Sequence, residues 1–190
     1  MNDMPHVAAK KVTVKDFDHE YGVNSSRYFQ CEDRIREFFP LFDSLAGRKT
    51  ILDLGCGAGW LGAHLSERHD VTLVDFSPKA VEFARANAPK CRVVCADLLE
   101  FLKDAEPYDV AVLTDVVEEI YEHQLEPLLS ALRADVLVVS TPTHPNYLKM
   151  STHLVIYEKP ELLGILARHG WKLEQSVPYP DRLIGRFVRA

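Results

Sequence analysis

Three carboxylates recur at a fixed interval in the first half of the chain. Asp53, Asp75 and Asp97 stand 22 and 22 residues apart, each inside or at the end of a short apolar run: Thr50 to Leu54, Val71 to Val74, and Cys91 to Ala96. In an open parallel sheet the carboxyl ends of successive strands line one crevice, so this spacing gathers three acids around a single ligand. A pyrophosphate would be repelled there. A cationic sulfonium nucleoside would not.

The loop that follows Asp53 fits the same picture. Gly55, Gly57 and Gly59 alternate with Cys56 and Ala58, which lets the backbone take positive φ and lets a ligand lie close against it before a helix begins. The run Gly57 to Gly62 also satisfies the G-x-G-x-x-G pattern of dinucleotide-binding folds. The surrounding acids count against that alternative, a nicotinamide dehydrogenase.

A second set of chemistry-bearing residues lies beyond the fourth apolar run, Tyr108 to Asp115, which ends in Thr114 and Asp115. If a bound hydroxyl is to lose its proton in such a crevice, the base must sit where the fourth and fifth strands end. The candidates there are Asp115, Glu118, Glu119, Glu122, His123, Thr143, His144 and His153. Glu119, Glu122 and His123 stand at i, i+3 and i+4, which predicts one face of a helix spanning about 117–132. Without other context such a triplet is a solvated helix face.

These motifs resemble those of the class I S-adenosylmethionine-dependent methyltransferases, from about residue 48 to the C-terminus. Ile51 to Gly59 is similar to the family's first motif, Val74-Asp75-Phe76-Ser77 to its second, and Cys95-Ala96-Asp97-Leu98 to its third. The resemblance implies that S-adenosylmethionine is held by Asp53, Gly55, Cys56, Gly57, Gly59, Asp75, Phe76, Asp97, Leu98, Thr114 and Asp115. Within that set the glycine loop would touch the methionine part, Asp75 the ribose hydroxyls and Asp97 the adenine amine, with Phe76 and Leu98 on either side of the adenine ring.

A weaker layer of resemblance, to ubiquinone-pathway O-methyltransferases and to RNA 3′-terminal 2′-O-methyltransferases, rests on the E-x-x-E-H of Glu119, Glu122 and His123 and on the later His153. It implies catalytic roles for Glu119, His123 and His153. The four together would alternatively suit a divalent metal ion. The main expectation carries no metal.

The elements that must position these residues are readable along the chain. Residues 1–24 show no sustained period and are expected to form a partly mobile arm; 25–190 are expected to form one domain. A helix should start at Ser25-Ser26 and carry Tyr28, Cys31, Ile35 and Phe38, with Pro40 interrupting. Strands at 50–54, 71–75, 91–96, 108–115 and 135–142 alternate with helices at 60–68 and from Pro78. A helix at about 160–168 ends on Gly170, and two strands, 171–177 and 183–188, flank a Pro-Tyr-Pro-Asp turn. The expected fold is α/β, a doubly wound, mostly parallel seven-stranded sheet with helices on both faces and a C-terminal antiparallel hairpin.

Composition limits the partners. The chain has 190 residues, 47% hydrophobic and 26% charged, with a formal charge of −6. That balance suits a soluble domain in the cytoplasm, with no run long enough to span a membrane. Without clustered cations a broad phosphate-binding surface is not expected, so a small-molecule methyl acceptor is favoured over nucleic acid. The four cysteines show no C-x-x-C pair and read as free thiols. A cofactor-binding regulatory protein without activity is the remaining alternative.

Overall fold

A computed structural model describes residues 6–7, 12–23, 35–150 and 152–190. Seven strands form one sheet: β2 (Thr50–Leu54), β3 (Asp70–Asp75), β4 (Arg92–Cys95), β5 (Tyr108–Thr114), β6 (Ala134–Pro142), β8 (Trp171–Ser176) and β9 (Arg182–Arg189), in the order β4-β3-β2-β5-β6-β9-β8. The first five run parallel, while β9 is antiparallel to both β6 and β8. A separate two-stranded pair joins β1 (His6–Val7) antiparallel to β7 (Val155–Ile156).

Helices cover both faces because the central strands are apolar on both. Val110 to Leu113 of β5 are fully buried. Their alternation sends Ala111 and Leu113, with Leu52 and Leu54 of β2, toward one core. Val110 and Val112, with Ile51, go toward the other. The first core is closed by α4 (Leu98–Lys103), α5 (Glu122–Ala131) and α6 (Lys159–Arg168). The second is closed by α2 (Trp60–Leu65), α3 (Pro78–Asn87) and the 3₁₀ helix Arg36–Leu41. Strand order reverses between β2 and β5, the point at which ligands enter such sheets.

Two expectations meet a different structure, and a third lies mostly outside the described residues. Within 1–24, where no element was predicted, the described residues form β1 and a ten-residue helix, α1 (Val14–Val23). The helix expected from Ser25 falls outside the described residues as far as residue 34, Tyr28 and Cys31 included, and its end is 3₁₀ around Pro40. The helix expected over 117–132 is broken: a 3₁₀ turn, Val117–Glu119, is followed by extended Ile120 and Tyr121 before α5 begins. Gln124 causes the break. Its side chain accepts from the Tyr121 N–H (3.1 Å) and its own N–H donates to the Tyr121 carbonyl (2.8 Å), which starts a new helix there. Among the described residues no helix is long and apolar enough to cross a membrane.

Candidate active site

The glycine loop is shaped by close approach. Gly55, Gly57 and Gly59 take φ of 74°, 54° and 78°, a region L side chains avoid. A Cβ on Gly55 would lie 2.4 Å from Val116 Cγ2, so the loop after β2 rests directly on the loop after β5. The N–H groups of Gly55 and Cys56 both donate to the Val74 carbonyl (2.8 and 3.1 Å). Asp75 completes the grip, Oδ2 accepting from the Gly57 N–H and Oδ1 from the Ser77 N–H, both at 2.9 Å.

Beneath this loop lie two buried acids. Asp53, on the Ile51 face of β2, is 1% exposed, and its Oδ1 has no hydrogen-bond partner among the described residues. Burial, then the neighbouring Asp75, push its pKa up to about 7. Asp75 is also raised by burial, against the amides of Ser77 and Gly57 that favour its charged form. Both acids, after burial, hold the Cys56 thiol well above its usual range.

The third acid differs. Asp97 is exposed and caps α4, its Oδ1 accepting from the N–H groups of Leu99 (2.9 Å) and Glu100 (3.1 Å), while Leu98 beside it is buried. Phe76 is half-buried and meets Phe17 of α1 edge-on, ring centroids 4.9 Å apart. Next to it, Asp18 accepts from the Ser77 hydroxyl (2.6 Å) and the Lys79 N–H (3.3 Å). Phe17 and Asp18 escaped sequence reasoning because their segment carries no readable period.

The other side of the crevice is formed by the ends of β5 and β6. Asp115 takes φ 56°, the one positive φ on a non-glycine among the described residues. Its Oδ1 accepts from Ser140 Oγ and from Arg182 Nη2, which also reaches Ser140 Oγ. Arg182 arrives from β9, far along the chain, with no local signal. Glu118 is 1% exposed: Oε2 accepts from the Thr141 hydroxyl at 2.9 Å and Oε1 lies 3.9 Å from His153 Nε2. Burial first, then Asp115 and Glu119, hold the Glu118 carboxyl well above the usual carboxylate range. Glu119 accepts from the Thr152 hydroxyl at 2.6 Å.

The break at Ile120 and Tyr121 means that Glu119, Glu122 and His123 do not share a helix face. Glu119 ends the 3₁₀ turn; His123 is exposed on α5, its ring 5.7 Å from that of Tyr121. The Glu122 side chain lies outside the described set. Among the described residues no three His, Cys, Asp or Glu side chains are grouped to hold a metal ion. His144 caps its own turn, accepting from the Asn146 N–H.

The crevice therefore fits a sulfonium nucleoside on its own chemistry: a bare-backbone cradle above two buried acids, one of them with an unpaired oxygen. Residues 51–136 match the family described as a methyltransferase domain, and the fold is that of these enzymes. The matched stretch is a methyltransferase domain, and the chain shares its fold with S-adenosylmethionine-dependent methyltransferases of known structure.

Particular relatives differ in substrate. The trans-aconitate 2-methyltransferase of Enterobacter sp. (strain 638) is 34% identical over 148 residues, 72% of this chain and 58% of that protein. The tRNA N(3)-methylcytidine methyltransferase trm140 of Schizosaccharomyces pombe is 36% identical over 80 residues, 37% of this chain and 26% of that protein. The chain thus spans between about a quarter and three fifths of the length of these two curated relatives. Among solved structures, a TehB-like SAM-dependent methyltransferase from Corynebacterium glutamicum superposes with a TM-score of 0.69 at 25% identity, covering 89% of this chain and 100% of that one.

Proposed function

We propose that the protein transfers a methyl group from S-adenosylmethionine to a small-molecule acceptor, at oxygen or nitrogen. The observation that carries the cofactor half of this reading is the buried, unpaired Asp53 Oδ1 beside Asp75 under the glycine loop, since an acidic floor suits a cationic nucleoside and opposes a pyrophosphate. Gly55, Cys56, Gly57 and Gly59 would lie along the methionine portion. Asp75 would hold the ribose, with Phe76, Asp97 and Leu98 at the adenine; Thr114 and Asp115 would close the other side. S-adenosylmethionine supplies an electrophilic methyl group. The protein's own task is to place the acceptor against it, dry and in line, and we assign that task to the end of β5 and β6, with Glu119, His123 and His153 as the groups that meet the acceptor.

Calorimetry tests the first half of the reading. S-adenosylmethionine and S-adenosylhomocysteine should bind and NAD should not; tight NAD binding, or none by either adenosyl compound, overturns it. A second reading, a nucleic-acid acceptor, is favoured by the likeness to the tRNA enzyme. Incubating the protein with methyl-labelled cofactor and either total RNA or a small-metabolite extract separates the two by where the label goes.

A further inference from the structure

Helix α1 has ten residues, most of them polar, and a helix of that length is marginal in water unless packing holds it. Of its described side chains, Phe17 and Asp18 are half-buried, while Val14, Lys15, Asp16 and His19 are exposed. Among these, the hold on the domain runs through two adjacent residues, and both land just past the end of β3. The Phe17 ring meets Phe76 at an interplanar angle of 75°, a favoured geometry for an aromatic pair. Asp18 meets the start of α3, where the positive end of the helix favours a carboxylate.

From Asp18 an unbroken line of hydrogen bonds leads to the glycine loop. Asp18 Oδ1 accepts from the Ser77 hydroxyl (2.6 Å), the Ser77 N–H donates to Asp75 Oδ1 (2.9 Å), and Asp75 Oδ2 accepts from the Gly57 N–H (2.9 Å). Ser77 is fully buried and Asp75 is 5% exposed, so neither can trade these partners for water without cost. Removing Asp18 would leave the Ser77 hydroxyl without its acceptor. The next acceptor along the line is Asp75, already committed to two amides.

We propose that α1 is part of the cofactor site: Asp18 is a positioning residue that sets the Asp75 carboxylate through Ser77, and Phe17 backs Phe76, so that docking of α1 and binding of S-adenosylmethionine favour one another. This rests on the methyltransferase reading and adds to it the segment that governs cofactor affinity. A nucleoside that stacks on Phe76 and bonds to Asp75 steadies both groups on which α1 rests. Such coupling is reciprocal, so a ligand that gains from a docked α1 must hold α1 in place to the same extent.

Calorimetry of S-adenosylhomocysteine binding to the full chain tests one direction. Asp18→Ala and Phe17→Ala should each weaken binding about fivefold or more, the lower end of ordinary coupling between sites. Wild-type affinity in either variant overturns the proposal. Because Asp18 acts through Asp75, its loss should cost much less in an Asp75→Ala background than in the wild type. An equal cost in both backgrounds would show that Asp18 merely packs, and overturns its positioning role. Hydrogen exchange tests the other direction: S-adenosylhomocysteine should slow exchange at the amides of α1 in the wild type, and less so in Asp18→Ala. Exchange there that ignores the ligand is equally fatal. Failure of the wild-type protein to bind S-adenosylhomocysteine counts against the methyltransferase reading, whereas normal binding with unmoved variants counts against α1 alone.

Discussion

The two sides of the crevice are built by opposite means. On the cofactor side the backbone does the holding: glycine amides and a carboxylate that grips two loop N–H groups fix the shape, and the acids beneath supply charge. On the acceptor side, side chains hold one another, Glu118 to Thr141, Glu119 to Thr152, Asp115 to Arg182 and Ser140. The first arrangement recognises a ligand whose form never changes. The second depends on residues scattered from 115 to 182.

The contrast predicts where substitutions act. The largest effect is expected from Gly55→Ala, which must fit a Cβ 2.4 Å from Val116 at a φ of 74°. Overpacking costs about 1–3 kcal/mol and the left-handed backbone about 1–2 more. A lower melting temperature and loss of S-adenosylhomocysteine binding should follow, with Val116→Ala restoring part of both in the double variant. Additive losses would show that the two loops do not meet.

Asp75→Ala comes next. It should weaken cofactor binding by about 1.5–3 kcal/mol, the usual worth of a hydrogen bond to a charged group, with the fold intact by circular dichroism. Wild-type affinity would remove Asp75 from the ligand site.

Asp53 should reveal itself through pH. Its pKa is about 7 in the folded protein against about 3.9 in an unfolded chain. Because the folded value is the higher one, the folded state holds a proton that the unfolded state has lost. The stability contributed is complete below about pH 3.9 and disappears as pH rises through 7. Unfolding free energy measured from pH 4 to 8 should therefore decline across that window, and Asp53→Asn should flatten the decline. Cofactor affinity should move the other way, improving as Asp53 ionises.

The smallest effect belongs to His123→Ala. An exposed ring on α5 should change stability by no more than about 0.5 kcal/mol and leave S-adenosylhomocysteine binding untouched. A measurable loss of affinity would extend the ligand site onto α5.

The sheet and the cofactor side were legible because their signals are local. Apolar runs of strand length, alternate glycines and an acid at each strand end survive in one dimension, and Asp53, Gly55 and Asp75 fall where their spacing predicts. The acceptor side was read less well. The i, i+3, i+4 spacing of Glu119, Glu122 and His123 assumes an unbroken helix, and a single Gln124 side chain ends that assumption at Tyr121. Arg182 and Thr152 meet their partners, Asp115 and Glu119, only after the chain has folded through several further elements. Phe17 and Asp18 sit in a polar segment whose place is set by what they touch, Phe76 and Ser77, rather than by any period of their own.

The contact between Gly55 and Val116 has a consequence for descent. With 2.4 Å between a hypothetical Cβ and the valine methyl, Gly55 cannot gain a side chain while Val116 keeps its bulk, so the two should drift as a couple across related genes. Lineages that gain bulk after β2 are expected to have first lost it after β5, and the order of those two changes should be recoverable from reconstructed ancestors.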